Sequence, residues 1–261
     1  MKVEIHKALQ PLRKLREVLK DFPAHPSPED VHTLRTRSRR LEAIVHALSP
    51  ADAPAARRLL KLVKPVRKAA GDVRDMDVLI ANLFALSDQP AAEGMVRLTE
   101  HLAGLRNRRA AHLRRVLRRR STEARKSLKS YIRSFEQSET GPATEALAVP
   151  QILAAQLEHW PQLNARNLHE FRIQGKELRY ILQLTPVADQ RQLDAFGQMK
   201  DAAGEWHDWT ELRKMAEEVL DPAGDRDLLR QIAAVTREKL RLGLAAANRL
   251  RKRGIQLPEA A

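Results

Sequence analysis

The chain has 261 residues, room for one large domain or two smaller ones, and its 43% hydrophobic content excludes disorder as the dominant state. Its formal charge is +14, from 47 Lys and Arg against 33 Asp and Glu, so a polyanion is the first partner class to consider. With no Cys, disulfides, thiolate metal sites and cysteine nucleophiles are excluded. No run approaches the roughly 18 apolar residues of a spanning helix, so the expected setting is soluble and cytoplasmic, with no membrane partner.

Helical periodicity runs through nearly the whole chain. Ile5, Leu9, Leu12, Leu15 and Leu19 form a first apolar stripe. Ser27-Pro28-Glu29-Asp30 then reads as an N-cap, a first-turn proline and a capping-box acid, opening a helix to about Leu48. Further helices are expected over 52–69, 72–87, 91–135, 145–160, 164–184, 188–202, 204–219 and 225–252. No segment alternates with the period of two that a strand requires, so the fold class is all-α.

Charge is unevenly spread. Residues 1–140 hold 30 cations and 16 acids, whereas residues 141–261 hold 17 of each. Between the halves, residues 136–145 (EQSETGPATE) are polar and contain Gly141-Pro142, a linker by composition. The reading is one domain over 1–261, with a first helical unit at about 1–135 and a second at about 146–253.

The two units share sequence. At an offset of 137 residues, SPEDVHTLRTRSRRL (27–41) aligns with NARNLHEFRIQGKEL (164–178), pairing His32 with His169, Arg35 with Arg172 and Arg39 with Lys176. Asn164 meets Ser27 and is itself a good cap residue. At an offset of 133, VRKAAGDVRDMDVL (66–79) aligns with MKDAAGEWHDWTEL (199–212), pairing Arg67 with Lys200, Gly71 with Gly204, Arg74 with His207 and Asp75 with Asp208. Two blocks in one order at nearly one offset indicate a duplicated helical unit.

On a helix, His32, Arg35 and Arg39 fall within about 60° of one another, and His46 joins them. The copy lines up His169, Arg172, Lys176 and Arg179 in the same way. Each unit therefore carries a basic stripe beside its apolar one. Surface charge kept only for solubility has no need of register, so the stripes are read as an anion site.

The doubled H-x-x-R-x-x-x-[RK] helix with G-[DE]-x-[RH]-D resembles the CHAD family, the conserved histidine α-helical domain, from about Lys2 to about Arg253. The resemblance implies two four-helix-bundle-like repeats related by a pseudo-twofold axis. It also implies a basic cavity between them that binds inorganic polyphosphate, with recruitment to polyphosphate granules. The matching positions are His32, Arg35, Arg39, Arg40, His169, Arg172, Lys176 and Arg179, joined by Arg67, Arg74, Lys200 and His207. One departure stands out. Where the family keeps basic residues eight and ten positions after the histidine, this chain has Arg40 but Glu42, then Glu177 but Arg179.

The densest charge lies between Arg106 and Arg120, with eight arginines and no acid. Most of that run reads as an outer face exerting an attracting field. Arg109 and His112 share the stripe of Leu98, Leu102, Leu105 and Val116 and are expected toward the cavity. Trp206 and Trp209 are expected in packing, and Tyr180 is undecided between cavity and core.

Two rival functions remain. Nucleic-acid binding suits the charge, but aromatic residues are only 4% and the basic segments carry almost none for stacking. Nucleic acid is thus expected as a non-specific competitor. Metal-dependent hydrolysis of polyphosphate or a phosphate ester would use acids such as Asp72, Asp75, Asp77, Glu205 and Asp208. Those acids read more simply as partners of arginine, so a non-enzyme with no cofactor and no metal is expected. Oligomeric state is left open.

Overall fold

The computed structural model describes residues 5–49, 53–86, 93–136, 148–183 and 189–255. They form eight helices and, among the described residues, no strand: α1 (Ile5–Lys20), α2 (Pro28–Leu48), α3 (Pro54–Phe84), α4 (Glu93–Glu136), α5 (Ala148–Glu158), α6 (Leu168–Leu182), α7 (Gln190–Val219) and α8 (Arg226–Arg253). The all-α expectation holds. The expected linker around Gly141-Pro142 lies outside the described residues.

The start of α2 follows its sequence signal. The Asp30 backbone N–H donates to Ser27 Oγ at 3.1 Å, and the Ser27 backbone N–H donates to Asp30 Oδ2 at 2.8 Å. These reciprocal bonds satisfy two donors that a helix start otherwise leaves open. The second block begins differently. Asn164 caps a preceding turn, accepting from the Arg166 N–H at 2.8 Å, and α6 starts only at Leu168 after Asn167.

Two expected breaks are absent. Helix α3 runs unbroken through Gly71 and α7 through Gly204. Glycine in a helix interior costs about 1 kcal/mol relative to alanine, which is why the sequence alone suggests a stop. Tertiary packing along both rods overrides that local preference. The first block leads into α2 and its sequence match into α6, while Gly71 lies inside α3 and Gly204 inside α7.

Helix α3 packs along α4 and α7 along α8; α2 lies on α3 and α6 on α7, while α2 meets α6 and α3 meets α7. The core has two apolar clusters. The larger takes in Leu34, Val73, Phe171 and Trp206; the smaller takes in Met76, Leu79, Leu98, Trp209 and Leu212. Both long rods cross from one cluster to the other, and the residues at the crossing are Arg74-Asp75 on α3 and His207-Asp208 on α7. A polar belt thus cuts through the core. Trp206 and Trp209 are buried in packing, as expected.

Candidate anion-binding site

A cavity of about 470 Å³ opens beside this belt, between α2, α3, α6 and α7. Helix α2 contributes Arg35, Arg39, Glu42 and His46, and α3 contributes Arg67 and Asp75. Helix α6 supplies His169, Arg172, Lys176, Glu177 and Tyr180, and α7 supplies His207 and Asp208. The i, i+4 spacing of Arg35 with Arg39 and of Arg172 with Lys176 aims each pair the same way. Apolar neighbours anchor both helices: Leu34 and Leu41 beside the first pair, Phe171 and Leu178 beside the second, all fully buried.

Some of these charges are spoken for. Arg35 Nη2 lies 3.1 Å from Asp75 Oδ1, and Arg67 Nε donates to Glu42 Oε1 at 2.6 Å. His46 Nδ1 lies 3.7 Å from Glu177 Oε1, linking α2 to α6 and raising the imidazole pKa through hydrogen bonding to that carboxylate. Arg172 Nε donates to the Lys200 carbonyl at 3.1 Å. Among the described residues, Arg39 and Lys176 have no carboxylate within 4.0 Å. Arg35 Nε and His169 Nδ1 are buried with no hydrogen-bond partner. Buried polar atoms without partners are costly; Arg35 Nε is turned to Gly71 of α3, where a Cβ would stand 3.6 Å from it.

The cations strain against one another. Burial, then Arg39 and Arg172, pushes the Lys176 ammonium down to about 6. Burial, then Arg35, Arg67 and Arg172, brings Arg39 down to about 10. The rings of His169 and His207 stand 4.2 Å apart by centroid. Burial followed by that neighbouring ring and Arg172 takes His207 down to about 4, and burial with Arg172 and Lys176 lowers His169. Burial also raises Asp208 to about 6, against the opposing pull of Arg172. Apart from that of His46, these shifts disfavour charge, and burial is the leading cause of each.

Of the residues singled out in the sequence, Arg35, Arg39, Arg67, His169, Arg172, Lys176 and His207 line this cavity. The other six lie outside its lining. His32 and Arg40 are exposed. Arg179 Nε turns to the Leu193 carbonyl at 3.0 Å, and Lys200 Nζ meets Asp201 at 2.7 Å. Arg74 is half-buried at the belt. Arg109 Nη1 donates to the Asp72 carbonyl at 3.0 Å, joining α4 to α3, while His112 is exposed, away from the cavity.

Sequence reasoning missed Glu42 and Glu177 as cavity residues, although they are the two departures from the family pattern. Tyr180 is placed in the cavity wall. The acids weighed as metal ligands mostly pair with cations: Asp75 with Arg35, Asp77 with Arg106 at 2.6 Å, and Glu205 with Lys239 at 2.6 Å. Among the described residues no three His, Asp or Glu are grouped to hold a metal ion. Nor, among the described residues, is any helix long and apolar enough to cross a membrane.

Comparison with known proteins agrees with this architecture. The chain is similar over 95% of its length to the CHAD domain from the plant Ricinus communis, covering 88% of that chain at 17% identity and a TM-score of 0.67. It is similar over 97% of its length to PptA from Streptomyces chartreusis, covering 99% of that chain at 13% identity and a TM-score of 0.61. No match was found among curated protein sequences. The CHAD domain family model matches residues 5–217, and the chain belongs to that family.

Proposed function

We propose that the protein binds inorganic polyphosphate in the cavity between α2, α3, α6 and α7 and performs no chemistry on it. The observation that carries this reading is the pair Arg39 and Lys176, facing one space from two helices without a carboxylate partner. A phosphate chain offers many oxygen acceptors and no base to stack. It would accept from the Arg39 and Arg172 guanidinium groups and restore the proton that Lys176 sheds in the empty cavity. Arginine forks suit such oxygens on rigid helices. Recruitment to polyphosphate granules is the cellular outcome this binding would support.

The test is a titration of the full chain with polyphosphate, repeated with Arg35, Arg39, Arg172 and Lys176 all changed to Ala. Loss of binding in a variant with an unchanged circular-dichroism spectrum is expected. Undiminished affinity overturns the assignment. Duplex or single-stranded nucleic acid added at equal phosphate and matched salt should not displace the polyphosphate. Orthophosphate release on adding Mg²⁺ would overturn the non-enzymatic reading.

A further inference from the structure

The outer face of α4 carries an arrangement that the cavity does not use. Arg108, Arg115, Thr122 and Lys129 recur every seven residues, and His112, Arg119, Lys126 and Arg133 do the same one turn further along. Together they make one stripe of alternating three- and four-residue steps that winds slowly around the helix, about 38 Å long at 1.5 Å per residue. All eight positions are exposed, and seven are basic.

Packing does not explain the stripe. Like charges at i, i+4, such as Arg115 with Arg119 and Lys129 with Arg133, each destabilise a helix by a few tenths of a kcal/mol. On α7 and α8 some surface cations are offset within their own helix: Arg241 by Glu238, Lys214 by Glu211 and Arg213 by Glu217. None of the six Lys and Arg side chains of the stripe has a carboxylate within 4.0 Å among the described residues. The nearest acid in sequence, Glu123, sits on the flank of the stripe without closing an ion pair.

The stripe also excludes several occupants. A partner helix docking at such spacing needs apolar side chains at those positions, and the stripe has none. A helix lying in a membrane interface needs an apolar face, and the apolar face of α4 is spent on the core through Leu102, Leu113, Leu117 and Leu128. Single-stranded nucleic acid calls for aromatic platforms, and residues 93–130 contain no Phe, Trp or Tyr. A single row of cations matches a single line of phosphates. The row also begins near the cavity. Arg109, beside Arg108 in sequence, holds the Asp72 carbonyl one turn of α3 from the cavity's Asp75.

We infer that the outer face of α4 is a second polyanion surface, a track for the length of a long polyphosphate chain that extends beyond the cavity. The choice of ligand rests on the cavity reading above; the track itself rests on the stripe. Binding there is electrostatic, so it grows with chain length and is sensitive to salt.

The experiment uses the full chain and a variant with Arg115→Gln, Arg119→Gln, Lys126→Gln and Arg133→Gln. These exposed changes relieve repulsion and leave the buried face of α4 untouched. Each protein is titrated with tripolyphosphate, long-chain polyphosphate and duplex DNA over a range of salt. The variant should bind tripolyphosphate within about twofold of wild type. It should bind the long chain at least about tenfold more weakly at physiological salt, with a log–log salt slope shallower by about three. Unchanged long-chain affinity overturns the track. A larger loss for duplex DNA than for polyphosphate overturns the choice of ligand. Failure of the wild type to bind tripolyphosphate overturns the cavity reading instead, while a long-chain loss in the variant still supports the track.

Discussion

Arg172 crosses α7 at Gly204 so closely that a Cβ on that glycine would stand 2.7 Å from Nη2 and 3.2 Å from Cζ. The matching pair is looser: a Cβ on Gly71 would meet only Arg35 Nε, at 3.6 Å. The glycine therefore clears a path for a guanidinium and does not mark a bend. Gly204→Ala should leave the fold intact, with helix preference favouring alanine by about 1 kcal/mol. It should weaken polyphosphate binding about tenfold by displacing Arg172. Gly71→Ala should bind like wild type. Calorimetric titration of the two variants checks both outcomes, and equal affinities would remove the special role of Gly204.

Lys176 should make anion binding proton-linked. Its folded pKa of about 6 lies below its ordinary 10.5, so between those values the folded chain holds fewer protons than the unfolded one. The resulting penalty on stability is full below about pH 6 and fades as pH rises. Lys176→Met should therefore raise Tm at pH 6 and do so less at pH 9.5, by on the order of 2–4 °C for each kcal/mol relieved. A bound anion restores the lysine's charge, so the wild type should take up about one proton near pH 7.5. Comparing heats in buffers of different ionisation enthalpy measures that uptake, and Lys176→Met should lower it by about one.

Asp208 should compete with a bound anion for Arg172, whose charge it feels. Its carboxyl is raised from 3.8 to about 6 by burial, so it is charged above about pH 6 and increasingly neutral below. The stability cost of that buried charge is complete above pH 6 and diminishes as pH falls. Asp208→Asn should tighten anion binding on the order of tenfold at pH 8. At pH 5 the wild type should approach the variant, since Asp208 is then largely protonated. A constant ratio between the two across this range would show that Asp208 does not oppose the ligand.

Ser27→Ala serves as a control on stability alone. Losing the reciprocal cap on α2 should cost about 1 kcal/mol, read as a Tm about 2–4 °C lower. The cap lies two turns before Arg35, so the affinity for polyphosphate should not change.

The helices and the two basic stripes were readable from sequence because 3.6-residue periodicity and motif register are local properties. Five of the seven cavity residues among the candidates share that origin, each on a stripe whose apolar neighbours fix its direction; Arg67 and His207 belong to the second pair of matching blocks. Angle around a helix says nothing about position along it. His32 lies on the same stripe as Arg35, yet one turn earlier, and it is exposed. Arg179 shares the angle of Lys176 but finds the Leu193 carbonyl first. Glu42 and Glu177 were visible as exceptions to a pattern, but their meaning required Arg67 and His46 beside them. The continuity of α3 and α7 depends on contacts between distant segments, which no local propensity encodes.

The polar belt that divides the two apolar clusters has a consequence for how the molecule opens. The smaller cluster, at the far ends of α3, α4, α7 and α8, joins the larger only through continuous rods and the charged residues at the crossing. Such a unit can exchange its amides by a partial opening that costs less than global unfolding. A polyanion held by Arg35, which pairs with Asp75 at the crossing, and by Arg172, which packs on Gly204 of α7, would tie the two ends of the molecule together. Occupancy should then register as slowed exchange around Leu79, Leu98 and Leu212, in the apolar cluster on the far side of that crossing.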